Sequence, residues 1–328
     1  MNGRRWAVRW AVGLAVVGLV GGCAASATPS PVPTTPAPTS VPSEPVATPT
    51  ATLARATLTS GQPHIYWSAI SEIVTDRLWI GAANLDGTGA IEDFITPPLG
   101  PWGLAIEGGH IYWGSGPGIA RANLDGTDVE ASFIALEEDA LPCALASDGS
   151  YLYWANCGQN LLGTTIGRAR LDGTEANESL ITGANVPSGV AVDATHIYWS
   201  NYANGSDSTI GRANLDGSEA DHEFITGADA PFGVAVDGGH VYWSNLGYAW
   251  SGTTIGRANL DGSEVDQEFI TGAVAPCGMA VDAGYLYWGN NGTDNRGRMI
   301  GRASVDGSQV NQAFIDAGPA PCGFAFDE

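Results

Sequence analysis

Six Tyr-Trp pairs run through this sequence, at Tyr66-Trp67, Tyr112-Trp113, Tyr153-Trp154, Tyr198-Trp199, Tyr242-Trp243 and Tyr287-Trp288, in steps of 46, 41, 45, 44 and 45 residues. A fixed period of that size marks one supersecondary unit in several copies, because such a unit buries its apolar surface only against a neighbouring copy. Two further landmarks keep the same beat. One is an Asp-Gly turn at Asp86, Asp125, Asp172, Asp216, Asp261 and Asp306; the other is a Pro-x-Gly-x-Ala-x-Asp run such as Pro231 to Asp237. In the copy from Pro231 to Gly272, residues 233–237 read as a short apolar strand, 237–239 as a turn and 240–244 as a second strand. Residues 254–260 alternate as a third strand that ends on Asp261-Gly262, a strong hairpin signal, and 268–271 make a fourth. Four short antiparallel strands per copy, with no helical period, predict an all-β six-bladed propeller. Each blade is covered on both faces, so Tyr and Trp point to opposite faces and fill the gaps between blades, with polar tips that need partners.

The order of landmarks also predicts how the ring closes. The repeats begin at a second strand, His64 to Trp67, and end on a spare first strand, Pro321 to Asp327. The C-terminal strand should therefore complete the N-terminal blade and leave no open sheet edge.

The residues ahead of the repeats have a different composition. Arg4, Arg5 and Arg9 precede an apolar run from Ala11 to Val20, and Val20-Gly21-Gly22-Cys23 is a small-residue cleavage site that ends on cysteine. This resembles a bacterial lipoprotein signal over residues 1–22, which implies lipidation of Cys23 as the new N-terminus. Residues 23–60 are rich in Pro, Thr, Ser and Ala and hold almost no large apolar side chain, so they read as an extended disordered tether. The expected location is extracytoplasmic, anchored to the cell membrane through the N-terminal lipid alone.

Residues 61–328 suffice for one closed domain. The chain has 13 basic residues, all of them Arg, against 35 acidic ones; losing Arg4, Arg5 and Arg9 with the signal takes the formal charge from −22 to −25. A head so acidic repels phosphate backbones, which argues against a nucleic-acid partner. Solubility accounts for the charge, and the expected state is a monomer.

Written out from this chain, the repeat Ile-Gly-Arg-Ala-Asn-Leu-Asp-Gly-Ser, Phe-Ile-Thr-Gly, Pro-x-Gly-Val-Ala-Val-Asp, Ile-Tyr-Trp-Ser-Asn is similar to the YWTD repeat of low-density lipoprotein receptors (class B) across residues 64–328. It departs at the last two motif positions. Ser, Ala or Gly stands for Thr, and Asn156, Asn201, Asn245 and Asn290 stand for Asp, with Ala69 and Ser115 in the first two blades. The family's Asp supports packing, so the resemblance implies altered polar contacts between blades rather than a lost function.

Few residues read as chemistry. His64, His110, His196 and His240 share one repeat position and so read as structural; His222 stands apart and reads as exposed. Arg121, Arg168, Arg212, Arg257 and Arg302 repeat on the third strand and should bridge to the next blade, by way of the first-strand Asp or the second-strand Asn. The Asp-Gly turns lack the alternating carboxylates of a calcium loop. No lone carboxylate cluster or general base stands out, so no catalytic residue, metal ligand or cofactor is assigned. Cysteine says more. Cys143 and Cys157 flank the turn at 147–150 symmetrically, and antiparallel pairing brings them together. Cys277 and Cys322 share one repeat position in the last blade and the closing strand, where a bridge requires Cα atoms within about 7 Å.

The loops between second and third strands differ from blade to blade and emerge beside the Pro-x-Gly position, and variation on a rigid scaffold is where function resides. Trp102, Tyr202, Phe232, Tyr248 and Trp250 form the candidate aromatic binding patch there. The sequence thus points to a surface-tethered, non-enzymatic binding module for a protein, peptide or glycan. The alternative is an exported hydrolase or lyase that uses the channel mouth.

Overall fold

A computed structural model describes residues 58–69, 78–158, 161–202, 208–292, 298–318 and 320–327. The signal-like segment 1–22, Cys23 and all but the last three residues of the 23–60 tether lie outside the described residues. The rest form six four-stranded antiparallel sheets. In the fifth sheet the strands are Pro231–Val236, His240–Asn245, Thr254–Asn259 and Asp266–Thr271, within two residues of the expected bounds at either end of each strand. The first sheet is built from both ends of the domain: Pro321–Phe326 pairs with His64–Ala69, followed by Trp79–Asn84 and Ile91–Ile95. Ile65 faces Phe326 and Trp67 faces Phe324 across that seam. The ring is closed as the order of landmarks requires.

All twelve Tyr-Trp side chains are almost fully buried. They pack in relay, with the Tyr of one blade sharing a core with the Trp of the next: Tyr153 with Trp199, Tyr198 with Trp243, Tyr242 with Trp288, and Tyr287 with Trp67 across the closure. With Tyr66 beside Trp113 and Tyr112 beside Trp154, the described residues form six such inter-blade cores. By area, each indole contributes on the order of 4–6 kcal/mol of transfer free energy. The ring lies against a glycine of its own third strand; a Cβ added at Gly211 or Gly256 would sit 2.2 Å from the indole. That close approach is what Ile-Gly-Arg supplies, although the second blade accommodates Ala120 there.

Polar tips find partners. The hydroxyls of Tyr153, Tyr198, Tyr242 and Tyr66 donate to Asp148, Asp193, Asp237 and Asp327 at 2.8, 3.0, 2.9 and 3.0 Å. Burial raises the pKa of all six motif tyrosines above the ordinary range, and in Tyr66, Tyr153, Tyr198 and Tyr242 the adjacent carboxylate adds to the rise.

Two expected contacts take another form. Arg168 and Arg212 do bridge to the next blade, but they donate to the carbonyls of Leu215 and Leu260, at 2.8 Å each, beside the next Asp-Gly turn. Their guanidinium planes are held by ring stacking, as where Arg212 lies 4.0 Å over Phe224, which aims the donors at that turn. The Asn residues act inside a blade rather than between blades. Asn245 accepts from the Asp229 N–H at 3.0 Å and donates to Thr254 Oγ1 and the Gln267 carbonyl at 2.9 and 3.1 Å. A carboxylate could still accept from the Thr254 hydroxyl but has no proton for the Gln267 carbonyl, so the amide suits this position.

Both cysteine pairs are bonded, Cys143–Cys157 with Cα atoms 5.9 Å apart and Cys277–Cys322 with Cα atoms 5.3 Å apart. First strands approach so closely that a Cβ on Gly278 would meet the Cys322 carbonyl at 1.3 Å. On the chain-entropy model, bridges spanning 14 and 45 residues stabilise by roughly 3 and 4 kcal/mol. Reduction is expected to lower the thermal midpoint by several degrees and more, with the Cys277→Ala/Cys322→Ala variant losing more than Cys143→Ala/Cys157→Ala. Calorimetry with and without reductant checks this, and equal midpoints would count against both bridges.

Candidate functional site

The strand directions give the propeller two unlike faces. On the lower face lie the turns between first and second strands and the Asp-Gly hairpins. There Asp86, Asp125, Asp172, Asp216 and Asp261 each accept from the hydroxyl of the Ser or Thr two residues on, at 2.6 Å. Those bonds, with the backbone N–H of the same residue, hold each carboxyl below its usual range. The chain also joins the propeller on this face, where the Thr59 N–H donates to Asn84 Oδ1 at 2.9 Å. On the upper face lie the Pro-x-Gly ends of the first strands and the loops between second and third strands.

The central channel is walled by first strands. Its upper mouth is a cavity of about 40 Å³ that Trp102, Cys143, Ser188, Phe232 and Cys322 help to line, and its lower part holds about 170 Å³. Leu145, Val190, Val234, Met279 and Phe324 border both and mark the constriction between them. Neither part reaches the roughly 300 Å³ of a small-molecule pocket. Among the described residues, no three His, Cys, Asp or Glu side chains gather as a metal-binding group.

The five candidate aromatics occupy three different settings. Tyr248 and Trp250 project from a single turn of 3-10 helix, 69% and 53% exposed. Their loop is well tied. Gly247 donates to the Asp229 carbonyl at 3.0 Å, Gly252 to Leu246 at 2.7 Å, Ala275 to Gly252 at 2.9 Å, and the Ser251 hydroxyl to Tyr248 at 2.7 Å. These bonds fasten it to the starts of the first strands of blades five and six. Ala249 and Trp250 have φ of 53° and 65°, a left-handed backbone that a bulky residue adopts only where its surroundings impose it. Trp102 and Phe232 are half-buried at the channel mouth, on blades two and five, opposite one another in a ring of six.

Tyr202 is different. It is 7% exposed and packs edge-on against Phe232 with ring centroids 5.9 Å apart. Together with Ala230, Leu246 and Ala275 it forms a small apolar layer beneath the upper loops, flanked by Leu161, Val186 and Phe232. Burial, reinforced by Asp229, raises the pKa of its hydroxyl. Tyr202 thus supports the surface that Phe232, Tyr248 and Trp250 make.

Sequence reasoning missed Leu99 and Leu162, which are 52% and 77% exposed on the same face. Both lie in loops that other copies share, and loop 157–164 is closed as 246–253 is, with Gly163 donating to the Cys157 carbonyl at 2.8 Å as Gly252 does to Leu246 at 2.7 Å. The available signal was a large apolar side chain where another copy has a polar one, Asn185 or Asp229 for Leu99 and Ser251 for Leu162. His222, expected to be exposed, is half-buried on a fourth strand, its ring 5.4 Å from that of Trp199.

No family model matches the chain, and no curated protein matches it in sequence. Among solved structures, a chain in a crystal structure of a nidogen/laminin complex is similar to it, with a TM-score of 0.64 at 18% identity, covering 80% of this chain and 98% of its own length. At that identity the likeness is one of fold.

Proposed function

We propose that this protein is a surface-tethered binding module of YWTD type whose upper face engages a protein, peptide or glycan without covalent chemistry. The observation that carries this reading is the pair Tyr248 and Trp250, held out to solvent on a loop fixed from beneath by hydrogen bonds and an apolar layer. Exposed aromatics on a rigid support lose little entropy on binding and are common anchors of recognition. The place where the chain joins the propeller supports it too. Thr59 docks on the lower face, so a tether leading to a lipid on Cys23 would present the upper face away from the membrane. A tether of about 38 residues would, at about 3 Å per residue if extended, reach on the order of 100 Å. The structural likeness to a chain from a complex of two proteins agrees with a protein ligand. A mouth of about 40 Å³ favours recognition on the loops over recognition in the channel.

The test is retention of ligand from the native cell surface by the immobilised full chain. The double variant Tyr248→Ala/Trp250→Ala is expected to lose at least ten-fold in retention while keeping its unfolding midpoint, since two exposed anchors cost roughly 1–2 kcal/mol each and carry little stability. Undiminished retention would move the site off this loop.

A further inference from the structure

The upper face carries carboxylates beside its exposed apolar side chains. The loop that holds Tyr248 and Trp250 is bonded to Asp229, whose carbonyl accepts the Gly247 N–H at 3.0 Å, and Asp229 is itself exposed. A second such place lies on blade three. There Leu162 is exposed on the loop closed by Gly163 and Cys157, and the Cys157 N–H donates to the Leu141 carbonyl at 3.1 Å, which ties that loop to the segment crossing from blade two. From Phe133 to Pro142 the crossing segment is two residues longer than its counterparts, such as Phe224 to Pro231, and the added length holds Glu137, Glu138 and Asp139. All three are exposed.

These carboxylates are held in place by backbone bonds and are not neutralised. The Glu137 N–H donates to Glu178 at 3.0 Å and its carbonyl accepts from Ala140 at 3.0 Å, so the crossing segment is pinned without its own acidic side chains. Among the described residues, no basic side chain pairs with Glu137, Asp139 or Asp229. The described basic residue on this face is Arg298, which is held between Glu92 and Asp316 at 3.8 and 3.5 Å. Third-strand arginines reach the other way, Arg168 and Arg212 to the turn carbonyls of Leu215 and Leu260. Solubility explains net charge anywhere on a surface; carboxylates beside exposed apolar anchors, with the described cation already paired, specify a complement.

We propose that the ligand of the upper face is a cationic polypeptide segment, whose Lys or Arg side chains meet Asp229 and the run Glu137 to Asp139 while its apolar side chains cover Tyr248, Trp250 and Leu162. This rests on the reading of that face as the binding face and narrows its ligand to one class. The aromatic pair alone would suit a sugar or a peptide. The carboxylates decide between them: a neutral or acidic glycan leaves them without a counter-charge, whereas a guanidinium or ammonium is drawn both to a carboxylate and to the face of an indole or phenol. The protein makes the second kind of contact within its own blades, where Arg257 and Arg302 lie 4.0 and 3.7 Å over Phe269 and Phe314. Charge at the edge of a contact governs on-rate and selectivity more than affinity, so the apolar anchors carry most of the binding and the carboxylates choose what binds.

A random dodecapeptide library displayed on phage and panned on the immobilised full chain tests this, with the enriched sequences then titrated as synthetic peptides. Enriched peptides are expected to carry an excess of Lys and Arg together with aromatic or aliphatic side chains. Their affinity should fall at least about ten-fold in Tyr248→Ala/Trp250→Ala, and about ten-fold in Asp229→Asn/Glu137→Gln/Asp139→Asn, the scale of three exposed ion pairs. Raising salt from about 0.05 to about 0.5 M should weaken binding to the parent chain and leave the amide variant nearly unmoved. The amide variant keeps side-chain shape and the Asp229 carbonyl that ties the loop, so its unfolding midpoint should stay with the parent's. Peptides that depend on Tyr248 and Trp250 but carry no excess of positive charge, or that bind the amide variant as tightly as the parent, would overturn the cationic assignment and leave the anchors in place. Basic peptides that bind the aromatic variant undiminished would instead remove the binding face on which the assignment rests. Sugars retained on a glycan array through Tyr248 and Trp250, with no peptide enriched, would overturn it in favour of a glycan.

Discussion

Removing residues 319–328 is expected to abolish cooperative folding of the propeller, although the segment holds one of twenty-four strands among the described residues. The loss is large because several independent contacts end there. The strand Pro321–Phe326 completes the first sheet, and without it His64–Ala69 would expose an unpaired edge. Phe324 leaves the core that Trp67 shares with Tyr287. The Ser68 hydroxyl loses the Gly323 N–H at 2.8 Å, and Tyr66 and His64 lose Asp327. The Cys277–Cys322 bridge disappears with its partner. Truncating a buried Phe alone costs about 3–5 kcal/mol and a native disulfide about 2–5, which together match the whole stability of an ordinary domain, about 5–15 kcal/mol. Far-UV circular dichroism on heating should show a broad, early transition for the truncated chain; an unchanged midpoint would refute closure by this strand.

Alkaline pH is expected to unfold the protein steeply above about pH 10. The six motif tyrosines all have pKa values raised by burial, with desolvation the largest cause in each. Below about pH 10 these hydroxyls are protonated in both states, and their contribution is fully present. Above it the unfolded chain releases protons that the folded chain retains, so the unfolded state binds fewer and stability falls as pH rises toward the folded values. Each hydroxyl contributes a slope of up to about 1.4 kcal/mol per pH unit, and six together can exhaust a typical domain's stability within about two pH units. Tyrosinate absorbance and circular dichroism, followed together, should change at the same pH. Ionisation of all tyrosines near pH 10 with the fold intact would contradict the burial on which the inter-blade cores depend.

Much of this architecture was legible in the sequence for a physical reason. A repeated unit must satisfy the same packing in every copy, so the Tyr-Trp pair, the glycine beneath the indole and the Asp-Gly turn recur at fixed spacing and announce the blade. The same logic identified closure, because a spare first strand has one sheet in which to lie. Cys277 and Cys322 could be paired from their shared repeat position. How close the first strands come is a consequence of the Pro-x-Gly glycines, and it is plain only once the ring is assembled.

The site was harder to read because its residues do not repeat. Tyr202 directly follows Asn201, the position that buried Leu246 and Cys157 hold after Asn245 and Asn156, whereas Tyr248 stands two residues farther along its loop and in solvent. Repeat position rather than residue type was the sign of depth, and an aromatic in a variable loop does not by itself reveal it. The partners of Arg168 and Asn245 were misplaced for a related reason: their reach is set by the twist between strands, and that puts a turn carbonyl or a strand of the same blade within range.

A repeated scaffold carries an upper face where the copies differ, and recognition is proposed for that face. A hydrogen-exchange footprint of the full chain, with and without a cell-surface component that the immobilised chain retains, tests that proposal most directly. Slowed exchange is expected at residues 246–252 and at the mouth residues near Trp102 and Phe232, with the Asp-Gly hairpins of the lower face unchanged. Protection confined to those hairpins or to the outer strands would contradict it.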